Sequence, residues 1–213
     1  DGTTGAELWR SDGTSAGTVL VKDIWVSTGD SMPRDVVEMR GAIYFVARSE
    51  DHWGLWKSDG TTGGTTRLMV SQEVNCWPAV GKLVVVGETL FFYACNAGRM
   101  DLWKSDGTAV GTESVASFDY LDSLIAYKGE VYFSGYTYAE GAGLWKSDGT
   151  AAGTVRVRGA LNYLTQLTVV GGTLFFTADD AATGTELWKT DGTEAGTVLV
   201  KDIFPGMQWE TYP

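Results

Sequence analysis

Proline occurs 4 times, cysteine twice and histidine once among 213 residues. So few soft ligands cannot build a zinc cluster, which takes four Cys or His side chains. No apolar run approaches the ~20 residues of a membrane-crossing helix, so no membrane insertion is expected. The chain opens at Asp1 without a basic-then-apolar leader, so either a leader was removed or the chain is a piece of something longer. Basic residues are scarce too, with 16 Lys and Arg against 27 Asp and Glu and a net charge of -11. That field repels a phosphate backbone and an anionic membrane surface, so no nucleic acid is expected as a partner. Helical periodicity is missing as well. No GxSxG, HExxH, Walker or dinucleotide fingerprint is present.

What the chain does have is glycine, 28 residues of it, together with 9 Trp and a 44% hydrophobic composition. This is too apolar for a disordered segment, and there is no Gly-X-Y period to suggest collagen. The balance points to a soluble, acidic, all-β protein.

One string recurs five times: ELWRSDGTSAGT from Glu7, GLWKSDGTTGGT from Gly54, DLWKSDGTAVGT from Asp101, GLWKSDGTAAGT from Gly143 and ELWKTDGTEAGT from Glu186. Its tryptophans fall at 9, 56, 103, 145 and 188. A period of ~40–50 residues made of short β signals reads as propeller blades. Between the copies lie hairpin-like segments: MRGAIYFVA from Met39, VVGETLFFYA from Val85, YKGEVYFSG from Tyr127 and VVGGTLFFTA from Val169. Each repeat then holds four strands, a to d. The last copy places them near Leu167–Val170, Thr173–Ala178, Glu186–Thr190 and Thr197–Ile203. The expected fold is an all-β propeller of four-stranded antiparallel blades, five-bladed with one blade incomplete. Its parts are a half-blade at 1–24, blades at about 35–71, 82–118, 123–158 and 166–203, and a tail at 204–213.

The turn between strands c and d carries Asp12, Asp59, Asp106, Asp148 and Asp191, each able to form an Asx turn. The glycine after each aspartate supplies positive φ, and a second glycine follows four residues later, at 17, 64, 111, 153 and 196. The aspartates read as structural rather than as calcium ligands, because each loop offers one carboxylate. No metal or cofactor is expected. The cation after each repeat tryptophan reads as a solvated strand position. Apolar residues at consecutive positions of strand b predict burial of both its faces.

The motif [EDG]-L-W-[KR]-[ST]-D-G-T-x-x-G-T, followed by TVLVKDI at Thr18–Ile24 and Thr197–Ile203, resembles the ELWxxDGT repeat family. The third copy departs from it, with TESVASFDY (Thr112–Tyr120) in place of the VLVKDI strand. The resemblance implies repeats of large secreted or surface bacterial proteins, hence an extracellular or cell-surface setting. It implies no reaction.

The c–d turns would make one propeller face uniform. The other face holds the variable b–c loops: RSEDHWG (Arg48–Gly54), CNAGRMD (Cys95–Asp101), GYTYAEGAG (Gly135–Gly143) and DDAATGTE (Asp179–Glu186). Variable loops on a rigid scaffold are where recognition sits. Candidate ligand-binding residues there and in the d–a loops are Trp25, Trp77, Trp209, Tyr138, Asp51 and His52. A loop tryptophan can stack on a sugar ring; the competing reading is that it caps an inter-blade core. Centring the hairpin turn on Gly87–Glu88 sets Cys95 near Cys76, which fits a disulfide, with two separate buried thiols as the alternative.

The leading functional reading is a non-enzymatic extracellular binding or adhesion scaffold, with a glycan or surface protein as partner. A carbohydrate-binding lectin with several sites near the loop tryptophans is a second reading. A fragment of a larger propeller-containing enzyme is a third. An enzyme with its acids converging at the ring centre is disfavoured by the apolar strand a starts at Val36, Leu83, Leu124 and Leu167. The strand count has five c–d halves but four a–b halves. That leaves one half-blade to be completed by further repeats of the same chain or by a homo-oligomer.

Overall fold

A computed structural model describes residues 2–50, 52–71, 79–203 and 205. Among these, all regular structure is β. The chain divides into two compact units, Asp1–Ser114 and Val115–Pro213.

The first unit opens with a two-stranded antiparallel sheet, β1 (Leu8–Arg10) and β2 (Val19–Lys22). A four-stranded meander follows: β3 (Arg34–Met39), β4 (Ala42–Ser49), β5 (His52–Ser58) and β6 (Thr66–Val70). The next meander is β7 (Val80–Val86), β8 (Thr89–Asn96), β9 (Arg99–Ser105) and β10 (Glu113–Phe118), and the division between units falls within β10. The second unit holds β11 (Tyr120–Tyr127), β12 (Glu130–Thr137), β13 (Gly141–Ser147) and β14 (Val155–Gly159). Its other sheet is β15 (Asn162–Val170), β16 (Thr173–Asp179), β17 (Thr185–Thr190) and β18 (Val198–Lys201). Neighbours in sequence are neighbours in every sheet. Strands a to d of the repeat are therefore the four strands of each meander, and β1–β2 is a c–d pair.

Strand b explains why the sheets stack. In β4, Tyr44 and Val46 join Leu55, Leu90 and Phe92 in one core, while Phe45 and Ala47 join Leu8, Val21 and Ile24 in another. Successive side chains of a strand point to opposite faces, so an uninterrupted apolar run serves two cores at once. In the second unit Tyr132 and Leu144 pack with Leu174, Phe176 and Trp188. Each Leu or Phe fully removed from water there contributes about 1.5–3 kcal/mol.

The turn motif is fixed letter by letter. In the second copy Asp59 Oδ1 accepts the Thr61 N–H at 2.9 Å and the Thr61 hydroxyl at 2.7 Å. Thr61 Oγ1 in turn accepts the Gly64 N–H, and the Thr61 carbonyl accepts the Thr65 hydroxyl. Ser58 Oγ accepts the Gly60 N–H and lies 2.7 Å from Thr65 Oγ1. The other four copies repeat these contacts. Gly60 has φ +86°, a left-handed value that favours glycine. The second glycine has a different reason from turn geometry: a β-carbon on Gly64 would collide with the Asp59 carboxylate.

Strand a is longer than its apolar stretch suggests, because it is bulged. Register shifts in β3, β7, β11 and β15 coincide with Asp35 (φ +54°), Lys82 (φ +54°), Ser123 (φ +60°) and Gln166 (φ +58°). A bulge breaks the alternation that reveals a strand in sequence, which is why β15 starts at Asn162 rather than near Leu167.

Candidate functional site

Three of the four variable b–c segments prove to be mostly strand, with connections of two or three residues, whereas the fourth keeps a five-residue connection at 180–184 between β16 and β17. In the first, Ser49 pairs with His52 and Arg48 with Trp53, so only residues 50 and 51 connect β4 to β5. Backbone pairing here continues through residues whose side chains vary.

The sequence-derived candidates are dispersed. Trp77, Trp209 and Asp51 lie outside the described residues. Trp25 belongs to the first unit, in the connection from β2 to β3. Its ring packs on Gly29, where a β-carbon would collide with the indole, and the Arg48 guanidinium lies 4.2 Å from its centroid. The indole is committed to this local stack. His52 starts β5, and Ser49 opposite it accepts the Arg67 Nη1–H at 3.0 Å. Tyr138 belongs to the second unit and is 85% exposed, its ring edge-on to Tyr136 at 5.5 Å. The Tyr138 N–H donates to Asp119 Oδ2 at 2.8 Å. Cys95 is disulfide-bonded; the chain's other cysteine, Cys76, lies outside the described residues.

Asp12, Asp59, Asp106 and Asp191 are exposed, and their carboxyls are held below the usual carboxylate range. The hydroxyl of the following threonine is the main cause and its N–H the next, with burial opposing. One carboxylate oxygen in each turn is thereby occupied by the turn's own donors. Among the described residues no three His, Cys, Asp or Glu side chains gather to hold a metal. Three of the five cations after the repeat tryptophans are partnered rather than simply solvated. Lys57 donates to the Gly107 carbonyl at 3.2 Å, Lys104 pairs with Glu113 at 3.1 Å and Lys146 with Glu130 at 3.0 Å.

A concavity of a size to take a small ligand was not expected from sequence. In the second unit a groove of about 510 Å³ is lined by Tyr120, Ser134, Tyr136, Asn162, Tyr163 and Thr165, among others. β15 carries a second bulge between Asn162 and Thr165. There Tyr163 takes φ +50° and keeps its ring 81% exposed. A bulky residue with positive φ is uncommon, and such strain concentrates where a side chain is re-aimed for use. Burial first, and Asp122 second, raise the Tyr120 phenol above its ordinary value. The one available signal was local, the polar NYLTQ stretch at 162–166 ahead of the expected strand.

A second unforeseen feature is a buried carboxylate. Glu7 accepts the Ile24 N–H at 2.8 Å, the Ser31 N–H at 3.2 Å and the Ser31 hydroxyl at 2.6 Å. The residue before Leu-Trp is acidic in copies one, three and five and glycine in copies two and four. At Gly54 and Gly143 a β-carbon would collide with the carbonyls of Met69 and Arg158. Only the two glutamate copies carry TVLVKDI, and in the first copy Glu7 accepts the backbone N–H at the end of that segment.

No family model matches the chain, and no curated protein matches it. Solved structures do. A puromycin-hydrolyzing peptidase of Mycobacterium tuberculosis aligns over 88% of this chain and 30% of its own, with TM-score 0.61 and 11% identity. A puromycin hydrolase aligns over 91% and 32%, with TM-score 0.60 and 15% identity. An acylaminoacyl peptidase of Pyrococcus horikoshii aligns over 82% and 28%, with TM-score 0.56 and 14% identity. The likeness is one of fold, that of a β-propeller built from four-stranded antiparallel blades. The chain spans about a third of the length of these structures. They correct the expectation of a non-enzymatic extracellular binding or adhesion scaffold, because in these structures the fold is one part of much longer peptidases and a hydrolase.

Proposed function

We propose that the chain is the propeller part of a larger hydrolytic enzyme, a non-catalytic domain beside which a separate domain breaks the bond. The carrying observation is the first alignment, nearly the whole chain on under a third of a peptidase. The chemistry of the described residues supports the same reading. A nucleophile needs a base within hydrogen-bond reach. The one imidazole, His52, stands opposite a serine whose hydroxyl is engaged by Arg67. In this role the blades supply a rigid wall, and the uncharged Tyr120–Tyr163 groove offers an aromatic surface for part of a substrate. The ELWxxDGT repeat identity, carried by the five motif copies, belongs to the same proposal.

The test is hydrolysis of aminoacyl-p-nitroanilides by the 213-residue chain and by the longest natural polypeptide that contains it. The expected result is turnover by the longer polypeptide and none by the chain alone. Turnover by the chain alone, or a longer polypeptide that is inert across a panel of such substrates, contradicts the proposal.

A further inference from the structure

The first sheet differs from the other four in how its strand c is flanked. In each complete blade strand c lies between b and d; among the described residues β1 pairs with β2 alone. The repeat tryptophan registers the difference. Trp56, Trp145 and Trp188 are 7%, 5% and 4% exposed, whereas Trp9 is 41% exposed. In two complete blades the missing neighbour also takes the indole proton: Trp145 Nε1–H donates to the Gly135 carbonyl at 3.1 Å, and Trp188 Nε1–H to the Ala178 carbonyl at 3.2 Å. Both acceptors lie on strand b. Leu8, Val21 and Ile24 of the first repeat meanwhile pack on Phe45, Ala47 and Trp56. The β1–β2 pair is thus held in place against β3–β6, while no strand among the described residues covers the other edge of β1. An open edge beside a part-bare indole is a template for strand addition, and folded proteins normally cover such edges.

We infer that the edge of β1 is a docking site for a β-hairpin of this repeat's own a–b type, which adds its strand b along β1. The complete blades specify the register. Phe176 stands opposite Trp188 and Phe133 opposite Trp145, and the carbonyl two positions on accepts the indole proton. The occupant therefore places an aromatic residue opposite Trp9, offers a carbonyl two residues later and is apolar on both faces. A second copy of the chain fits poorly, because its four a–b hairpins are already paired within its own sheets. The inference stands apart from the hydrolase proposal, since it concerns the edge and not the reaction.

The experiment extends the full chain ahead of Asp1 with a copy of Leu161–Asp179, so that Asp1–Glu7 takes the place of Asp180–Glu186 as the b–c connection. Acrylamide quenching assigned to Trp9, by difference from Trp9→Phe in each background, and the thermal midpoint are compared with those of the parent chain. The expected result is a Trp9 as shielded as Trp56, Trp145 and Trp188 and a midpoint higher by roughly 4 °C or more. Phe176→Pro in the appended copy alone is expected to abolish both gains, because proline removes a ladder hydrogen bond. Unchanged Trp9 and midpoint, or equal gains with the proline copy, overturn the inference. So does a Trp9 already shielded in the parent chain. Shielding that rises with protein concentration as a dimer forms also overturns it, in favour of a second copy.

Discussion

At the residue scale the repeat is a hydrogen-bonded turn whose letters each have a donor, an acceptor or a space to provide. The aspartate and the glycine after it were legible from sequence as turn formers, since Asx geometry is local; the threonine and the flanking hydroxyls that close the turn emerged only from the structure. The second glycine was not legible in this way, because its reason is a close approach and not a backbone angle. The two glycine types separate cleanly by mutation. Gly64→Ala forces a β-carbon onto the Asp59 carboxylate and is expected to cost well over 1 kcal/mol. Gly63→Ala, with nothing near a β-carbon and no left-handed backbone, is expected to be neutral or to stabilise by about 0.4–1 kcal/mol. Urea denaturation of the two variants checks the pair. The turn also has a pH signature. Asp59 is held below the ordinary carboxylate range by the Thr61 hydroxyl first and the Thr61 N–H next. A carboxylate so held contributes stability that is full above its unfolded value, ~3.9, and is lost as pH falls through the folded value. Thr61→Val therefore raises the Asp59 pKa, read by carboxyl NMR. Its stability deficit is greatest above about pH 4 and narrows in acid; a deficit that is constant with pH contradicts the assignment.

At the element scale, strand b is the most legible in the sequence and strand a the least. Consecutive apolar residues such as Tyr44–Ala47 announce a strand buried on both faces, and the two cores that share them follow. The bulges at Asp35, Lys82, Ser123 and Gln166 hide strand a, because an inserted residue shifts the period by which strands are recognised. The same effect hid the Tyr120–Tyr163 groove, whose walls come from two sheets and meet only after folding. The connection after β2 depends on Glu7 in a way that composition cannot reveal. Glu7→Ala leaves the buried donors of Ile24 and Ser31 without their acceptor and is expected to cost about 1–3 kcal/mol. Hydrogen exchange localises the effect: the amides of Ile24 and Ser31 should exchange faster, while those of β15–β18 keep their protection.

At the scale of the whole molecule, the period of the repeat carried the fold, and nothing in the period carried the function. Five copies of one turn specify blades because each supplies the same c–d hairpin. Repeat letters occupied with turn chemistry say nothing of a reaction. The loop residues that looked available for recognition are dispersed: Trp25 is stacked under Arg48, and His52 is set in a hairpin. The functional reading came instead from the size of the hydrolases that share the fold. The most direct test of the account is a structure of the longest natural polypeptide containing this chain, determined with a non-hydrolysable peptide analogue bound. The account predicts that the residues at the scissile position come from a separate domain, with the blades beside it. A structure in which the blades themselves hold the reacting bond, or in which the polypeptide has no hydrolytic domain, would contradict it.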